Sequence, residues 1–121
     1  MKILLKKITV LLLFSIFFAT AQSTTVSTID EYNSAIKKVS TGGTIILKNG
    51  EWKDVTLNAF GNGTKQNPII VKAETPGKVL ITGDSSLSIY GTYVIVSGLW
   101  FKDGMTTKKH VVQFRKNSKI F

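Results

Sequence analysis

The chain has 121 residues, no cysteine and a formal net charge of +9, from 16 basic and 7 acidic side chains. Without cysteine, a disulfide framework and a zinc–thiolate site are both excluded, so a hydrophobic core must stabilise the fold. The excess of basic side chains favours polyanionic partners.

The segment 1–21 has the organisation of a secretory signal peptide. It begins with a basic stretch that holds three lysines, an apolar run covers 8–18, and Ala19-Thr20-Ala21 is a small-x-small cleavage site. That run is too short to span ~30 Å of hydrocarbon as an anchor. We therefore predict cleavage after Ala21, export to the periplasm or the extracellular space, and no stable membrane anchor afterwards.

The predicted mature chain, 22–121, is one small domain or part of a larger one. Loss of the three leader lysines leaves a net charge of +6. For an exported chain with this charge, an acidic polysaccharide or a membrane surface is a more obvious partner than nucleic acid.

Residues 28–39 are predicted to form one amphipathic helix. Four apolar side chains follow spacings of three and four, which puts them on one helix face: Ile29, Tyr32, Ile36 and Val39. Thr28 and Glu31 fit a capping box, in which each side chain binds a free backbone N–H at the helix start. The polar residues 22–27 before this helix are expected to be loose.

Short apolar runs separated by turn residues follow the helix and predict strands. The expected strands cover 44–47, 54–60, 69–71, 79–82, 87–90, 93–96, 99–101 and 111–115, with the next one beginning at 119.

Two architectures fit this many short strands, a sandwich of hairpins and a parallel β-solenoid. Sandwich strands mostly alternate polar and apolar residues, whereas several runs here are continuously apolar. The spacing also favours a solenoid, since Ile46, Ile70 and Ile95 follow one another at nearly equal intervals. Leu57 and Leu80 are separated by a similar interval. Coils of this kind bury apolar faces only by stacking, and the helix is suited to cap the first coil.

Five segments occur in a characteristic order along the chain. They are GTIILKNGEW at 43–52, GTKQNPIIVKA at 63–73, VLITG at 79–83, LSIYG at 87–91 and YVIVSGLWF at 93–101. In this order they resemble the N-terminal region of polysaccharide lyase family six, the chondroitinase B and alginate lyase group, over about residues 26–119. The resemblance implies an all-β fold, a right-handed parallel β-helix of the pectin-lyase-like type with an N-terminal capping helix.

The resemblance also implies a chemistry, β-elimination across the glycosidic bond of a uronate-containing polysaccharide such as alginate or a chondroitin- or dermatan-like chain. A base must take the proton α to the carboxylate, and a cation must neutralise the charge that develops. The family is expected to use calcium held by Asn and Glu, with a Lys base and a nearby Arg, in coils beyond this chain. No catalytic or metal residue is therefore assigned here, and we expect an inactive N-terminal portion with an open end that self-associates.

Arg115 and Lys116 are the substrate-binding candidates, because they follow the last strand and Arg suits a uronate carboxylate. A solvated strand edge is the alternative interpretation of both. The single His110 has no evident partner and is expected on the surface. Four aromatic residues could form a sugar-stacking platform, but at strand positions they are more often core residues: Trp52, Trp100, Phe101 and Phe114. Five carboxylates are scattered and lack the pairing expected of a calcium site: Glu51, Asp54, Glu74, Asp84 and Asp103.

Two other functions stay open from the sequence. One is a non-catalytic secreted β-solenoid module that binds acidic glycans, or a piece of a cell-surface adhesin. The other is a pectin-lyase-like or glycosidase β-helix of another family, although a glycosidase would need a pair of carboxylates that the sequence does not display.

Overall fold

The computed structural model describes residues 22–116. The predicted signal peptide over 1–21 and the strand expected from 119 lie outside the described residues. In this part of the chain, the elements are β1 (Ser23–Val26), α1 (Ile29–Lys38), β2 (Thr44–Leu47), β3 (Gly50–Lys53), β4 (Thr56–Asn62), β5 (Ile69–Ala73), β6 (Val79–Thr82), β7 (Ser86–Thr92), β8 (Val94–Ser97), β9 (Leu99–Phe101) and β10 (Val112–Phe114). Within 22–116, no helix has the length and apolar character needed to cross a membrane.

The strands form three parallel sheets, which confirms the parallel β-helix and excludes a sandwich of hairpins. The first sheet has the order β1-β2-β5-β8, the second β3-β6-β9 and the third β4-β7-β10. Every strand pairing within them is parallel. Each coil of the chain therefore contributes one strand to each sheet before the next coil stacks on it.

The strand register matches one expected pairing and corrects two. Ile70 pairs with Ile95, as expected. Its other partner is Thr44 rather than Ile46, a shift of two positions that keeps the side chain on the same face. The expected stacking of Leu57 on Leu80 is wrong, because Leu57 lies in the third sheet and pairs with Leu87.

The core lies between the three sheets and is built by alternate residues of each strand. Leu57 and Ala59 of β4 are fully buried, as are Leu47 of β2 and Val79 of β6. Because parallel strands stack in register, each inward side chain lies against the equivalent one in the next coil. Burying one Leu, Ile or Val contributes about 1.5–3 kcal/mol, and this core stands in place of disulfides.

Helix α1 caps the coils, as its pattern predicts. Tyr32 and Ile36 are buried, and the Tyr32 hydroxyl donates to the backbone carbonyl of Asn58 at 3.0 Å. The Thr28 hydroxyl accepts from the Glu31 N–H at 3.2 Å, as in a capping box. The return bond differs from the expected one, since the Glu31 carboxylate accepts from the N–H of Ser27 at 2.8 Å instead of that of Thr28.

Two strands differ from the sequence-based expectation. Residues 23–26, predicted to be loose, form β1 and pair with β2. Only Val26 is buried there, so the segment has no hydrophobic periodicity to reveal it. Residues 50–53 form β3, which was not predicted because Gly50 is typical of a turn. This strand is held by its pairing with β6. Both strands form because a neighbouring coil supplies their hydrogen bonds.

Candidate functional site

The outer face of the third sheet carries the largest organised set of polar, aromatic and basic side chains in the described chain. Leu57 and Ala59 point inward, so the residues between and beside them point outward. In register, these outward residues form three rows across the coils: Thr56 with Ser86, then Asn58, Ser88 and Gln113, then Phe60, Tyr90 and Arg115. We refer to these eight residues as the outer face, of which Ser86 and Ser88 are buried, at 4% and 6% exposure.

The third row combines two stacked rings with a cation. The rings of Phe60 and Tyr90 are 5.2 Å apart between centroids and only 10° from parallel. The guanidinium carbon of Arg115 lies 5.6 Å from the centroid of the Tyr90 ring. A guanidinium at this distance from a ring face is held by a cation–π interaction. The predicted candidate Arg115 is thus exposed and contacts the Tyr90 ring.

The middle row supplies neutral hydrogen-bonding groups. The Gln113 side-chain amide donates to the Ser88 hydroxyl at 2.8 Å. The amide of Gln113 has a second N–H and a carbonyl oxygen, and neither has a partner among residues 22–116. This row can therefore exchange hydrogen bonds with a ligand that carries hydroxyl groups.

A second cation reaches the opposite end of the outer face. The ammonium of Lys108 donates to the hydroxyl of Thr56, in the first row. Thr56 and Phe60 are four positions apart along β4, which is about 13 Å at the rise of an extended strand. The outer face therefore has one cation at each end and amide and hydroxyl groups between them.

These two cations have no carboxylate partner in the described chain. The one ion pair there joins Lys102 to Asp103, with 3.7 Å between Nζ and Oδ2. Lys108 does act on the nearby Asp84, whose pKa is lowered chiefly by hydrogen bonds from the Thr107 backbone and side chain, with a smaller contribution from this charge. The charge of Arg115 is thus without a carboxylate partner among residues 22–116, whereas that of Lys108 is partly offset by Asp84.

The other predicted candidates do not come together in one site. Lys116 and His110 are exposed, and neither side chain has a hydrogen-bonding partner among the described residues. The four aromatic candidates do not form one platform. Trp52 is buried with its indole N–H donating to the Lys48 carbonyl at 3.0 Å, whereas Trp100 is 50% exposed on the outside of the second sheet.

The sequence pattern does not single out Phe60 and Tyr90 as site residues. They are distant along the chain, and only the pairing of β4 with β7 brings them together. Gly61 and Gly91 directly follow them and also pair with each other. This repeated aromatic–glycine step is the signal that could have revealed the register.

Three of the described carboxylates accept hydrogen bonds from other residues of the chain. Asp54 accepts from the backbone N–H of Asp84 at 2.8 Å, and the Asp84 carboxylate is occupied by Thr107. Glu51 accepts from the Thr82 hydroxyl at 2.7 Å. Within residues 22–116, no three His, Cys, Asp or Glu side chains converge as metal ligands.

A groove lies elsewhere, between α1 and the first sheet. It has a volume of about 620 Å³ and is lined by apolar side chains such as Ala35 and Ile45 and by the charged side chains of Asp30, Glu31 and Lys38. These charged side chains form no ion pair with one another in the described chain, and no aromatic side chain lines the groove.

Sequence and fold are both similar to those of known polysaccharide lyases. A family model described as chondroitinase B matches residues 26–120. The PL6 family alginate lyase AlyGC is 43% identical, with a TM-score of 0.75, and the match covers 79% of this chain and 13% of that one. The PL6 family polysaccharide lyase Pedsa3628 from Pseudopedobacter saltans is 42% identical, with a TM-score of 0.72, and 75% and 21% are covered.

A more distant structure supports the fold alone. A mannuronic acid specific polysaccharide family 6 lyase from human gut microbiota is 24% identical, with a TM-score of 0.69, and the match covers 83% of this chain and 24% of that one. No curated protein sequence matches the chain. Against these solved lyases the chain spans between 13% and 24% of their length.

Proposed function

Because the chain belongs to the chondroitinase B family, we propose that it forms the first coils of an exported polysaccharide lyase. The observation that carries this proposal is the match of sequence and fold together, at 43% identity to an alginate lyase over 79% of the chain. The proposed substrate is a uronate-containing acidic polysaccharide, either alginate or a chondroitin- or dermatan-like chain. The net charge of +6 without the leader lysines agrees with a polyanionic substrate.

The proposed reaction is β-elimination. A base removes the C5 proton of the uronate, a double bond forms between C4 and C5, and the C4–O bond breaks as the leaving oxygen takes a proton. A cation beside the carboxylate lowers the energy of the anionic transition state. When bound, calcium supplies that charge as a Lewis acid.

In this proposal, residues 22–116 form the capped start of the β-helix rather than the catalytic centre of the lyase. The calcium ligands and the Lys and Arg of the reaction are proposed to belong to further coils, as the family resemblance implies. The proposed contribution of this segment is to shield the apolar end of the core with α1 and to set the register for the coils that stack on it.

We further propose that residues 1–21 direct export and are cleaved after Ala21. The basic start, the apolar run and the small-residue site support this. Sequencing of the amino terminus of the exported protein should begin at Gln22. An amino terminus that retains residues 1–21 after export would contradict it.

A second candidate function is a non-catalytic module that binds acidic glycans. The cations of the outer face favour it, and it requires no further coils. Lyase activity separates the two candidates.

The test has two steps. The DNA downstream of the Phe121 codon is sequenced, and the proposal expects an open frame encoding further coils with an Asn and Glu cluster followed by Lys and Arg. The chain and the extended protein are then incubated with alginate and with dermatan sulfate. Unsaturated uronate absorbance should rise with the extended protein only. Product from the chain alone would refute its inactivity, and a stop codon directly after Phe121 would favour the binding module.

A further inference from the structure

We propose that Asn62 is a site of spontaneous deamidation, at which the side-chain amide becomes a carboxylate through a succinimide formed with Gly63. The chain has two Asn-Gly steps, Asn49-Gly50 and Asn62-Gly63. Such a step is prone to this reaction because glycine has no Cβ to shield its backbone nitrogen from the preceding side chain. The structure distinguishes the two steps, since it holds the side chain of Asn49 and leaves that of Asn62 free.

The reaction at Asn62 requires only water. The backbone nitrogen of Gly63 loses its proton to hydroxide and attacks the side-chain carbonyl carbon of Asn62. A C–N bond forms, the bond from this carbon to the amide nitrogen breaks, and ammonia leaves after taking a proton from water. Water then opens the succinimide ring at either carbonyl, which gives aspartate or isoaspartate. The overall reaction converts one amide and one water into one carboxylic acid and one ammonia.

The side chain of Asn49 is held by the next coil. Its amide donates to the Thr75 hydroxyl at 2.9 Å, and its side-chain carbonyl accepts from the Thr75 backbone N–H at 3.0 Å. The backbone N–H of Gly50 donates to the Lys78 carbonyl at 3.0 Å. The groups that must react at this step therefore make three hydrogen bonds. The Asn49 backbone N–H is held as well, by the Glu74 carboxylate at 3.3 Å.

The side chain of Asn62 is exposed and has no hydrogen-bonding partner among residues 22–116. Of the groups that must react at this step, only the nitrogen is held, because the backbone N–H of Gly63 donates to the Thr92 carbonyl at 2.8 Å. The Asn62 backbone carbonyl accepts from the Thr41 hydroxyl at 2.6 Å, which matches the one neighbouring backbone contact at the other Asn-Gly step. Attack on Asn62 thus breaks fewer hydrogen bonds than attack on Asn49.

Burial of the glycine opposes this order but does not reverse it. Gly63 is buried whereas Gly50 is exposed, so hydroxide reaches Gly63 only when the chain opens locally. Asn62 is the last residue of β4, and strand ends open at a lower free energy than strand centres. The free Asn62 side chain adds nothing to that cost, whereas the two Thr75 contacts must break before Asn49 can react.

Deamidation at Asn62 changes both the backbone and the charge of the third sheet. Isoaspartate lengthens the main chain of β4 by one methylene at the residue that pairs with Thr92, so the ladder to β7 must end earlier. Both products replace a neutral side chain with a carboxylate. Along an extended strand this carboxylate lies about 7 Å from the Phe60 position, on the same side of the sheet. Modification therefore brings a negative charge towards Arg115, which has no carboxylate partner among residues 22–116.

The experiment incubates the purified chain in mildly alkaline buffer, below its melting temperature, and follows both Asn-Gly peptides by mass spectrometry. We expect Asn62 to lose its amide at least about tenfold faster than Asn49, because two more hydrogen bonds protect Asn49. Asn62→Gln should abolish the product at this position, because attack on glutamine requires a larger ring. Thr75→Ala removes one contact of Asn49 and should raise the rate there about fivefold without changing the rate at Asn62.

Thr82→Ala is the matched control, because it removes a hydroxyl that binds Glu51 and should leave both rates unchanged. Melting curves of each variant establish that the chain is folded during incubation. Equal rates at Asn49 and Asn62 in the folded wild type would overturn the proposal. Retention of the Asn62 amide for as long as the chain unfolded in urea needs to lose both amides would overturn it as well.

Discussion

Thr107 binds the carboxylate of Asp84 twice, through its backbone N–H at 2.8 Å and through its hydroxyl at 2.7 Å. The backbone N–H of Asp84 in turn donates to the carboxylate of Asp54 in the coil beneath. Three successive turns of the chain are joined in this way at one corner of the solenoid. The loop that presents Lys108 is therefore held by an ionised carboxylate.

We expect Asp84→Asn to remove part of the acid sensitivity of the fold. The Thr107 hydrogen bonds hold the pKa of Asp84 below its usual range, aided by Lys108. A carboxyl whose pKa is lower in the folded chain stabilises the fold above its unfolded pKa of about 3.9, and this contribution is lost as the pH falls through the folded pKa. The melting temperature of the wild type should thus fall more steeply than that of Asp84→Asn between about pH 5 and pH 2.

Asp103→Asn is the control for this experiment. Asp103 lies in an exposed turn, and its one described ion pair is with Lys102. Its backbone φ is positive, which Asn tolerates. The melting temperature of Asp103→Asn should fall with decreasing pH as steeply as that of the wild type. If the profiles of the wild type and Asp84→Asn have the same slope, the Thr107 contact does not stabilise the folded chain.

Tyr32→Phe should cost about 1–2 kcal/mol of unfolding free energy, because a buried hydrogen bond is lost. The substitution keeps the buried ring but leaves the Asn58 carbonyl without the hydroxyl that donates to it at 3.0 Å. Denaturant titration measures the change. Tyr93→Phe is the control, because Tyr93 is 57% exposed and its loss of a hydroxyl should change stability by less than about 0.5 kcal/mol. Equal effects of the two substitutions would contradict the role of α1 as a bonded cap.

The same residue should stay neutral in alkaline solution while the chain is folded. Burial, with a smaller contribution from Tyr90, raises the pKa of Tyr32 well above the usual value of about 10. The chain has three tyrosines, so one should be missing from the phenolate absorbance of the native protein and appear only on unfolding. Full ionisation before unfolding would show that Tyr32 is accessible to solvent.

Gly91→Ala should be far more destabilising than Gly77→Ala. Both glycines have positive φ, at 104° and 79°, so each alanine is strained by about 1–2 kcal/mol. A Cβ at Gly91 would collide with the carbonyl oxygen of Gly61, whereas a Cβ at Gly77 meets nothing within 4 Å. The clash with backbone should add about 1–3 kcal/mol in denaturant titrations. Similar costs at both sites would mean that β4 and β7 do not stack in the described register.

The two tryptophans should differ sharply in their access to a soluble fluorescence quencher. Trp100→Phe leaves Trp52, which is 5% exposed, and Trp52→Phe leaves Trp100, which is 50% exposed. Quenching should be weak in the first variant and strong in the second, because β3 directs its tryptophan inward and β9 directs its own outward. Equal quenching in two folded variants would contradict the assigned faces of the second sheet.

Part of the fold follows from local pattern. The spacing of Tyr32 and Ile36 predicts the buried side of α1, because a helix of 3.6 residues per turn brings both to one face. The β-branched run from Ile69 to Val71 predicts a strand in a solenoid rather than a sandwich, because both its faces are apolar. The family resemblance was likewise visible in the sequence and is confirmed by the match over 26–120.

The candidate site depends on information that local pattern does not contain. Each coil has turns of its own length, so the sequence offset between stacked residues is smaller for Thr44 and Ile70 than for Phe60 and Tyr90. A single constant period therefore places Leu57 against Leu80 and cannot bring Phe60 to Tyr90. Arg115 was a candidate from its residue type and position, but its contact with Tyr90 was not predictable.

The sequence by itself determined the kinds of element, the buried faces and the lineage, because propensity, periodicity and motif order act within short stretches of chain. Only the tertiary structure decided which residues stack across coils, because register is set by turn lengths and by the close approach of Gly61 and Gly91. The outer face depends on that register. Phe60, Tyr90 and Arg115 are distant in sequence, but they are adjacent in space because successive coils stack one strand spacing apart.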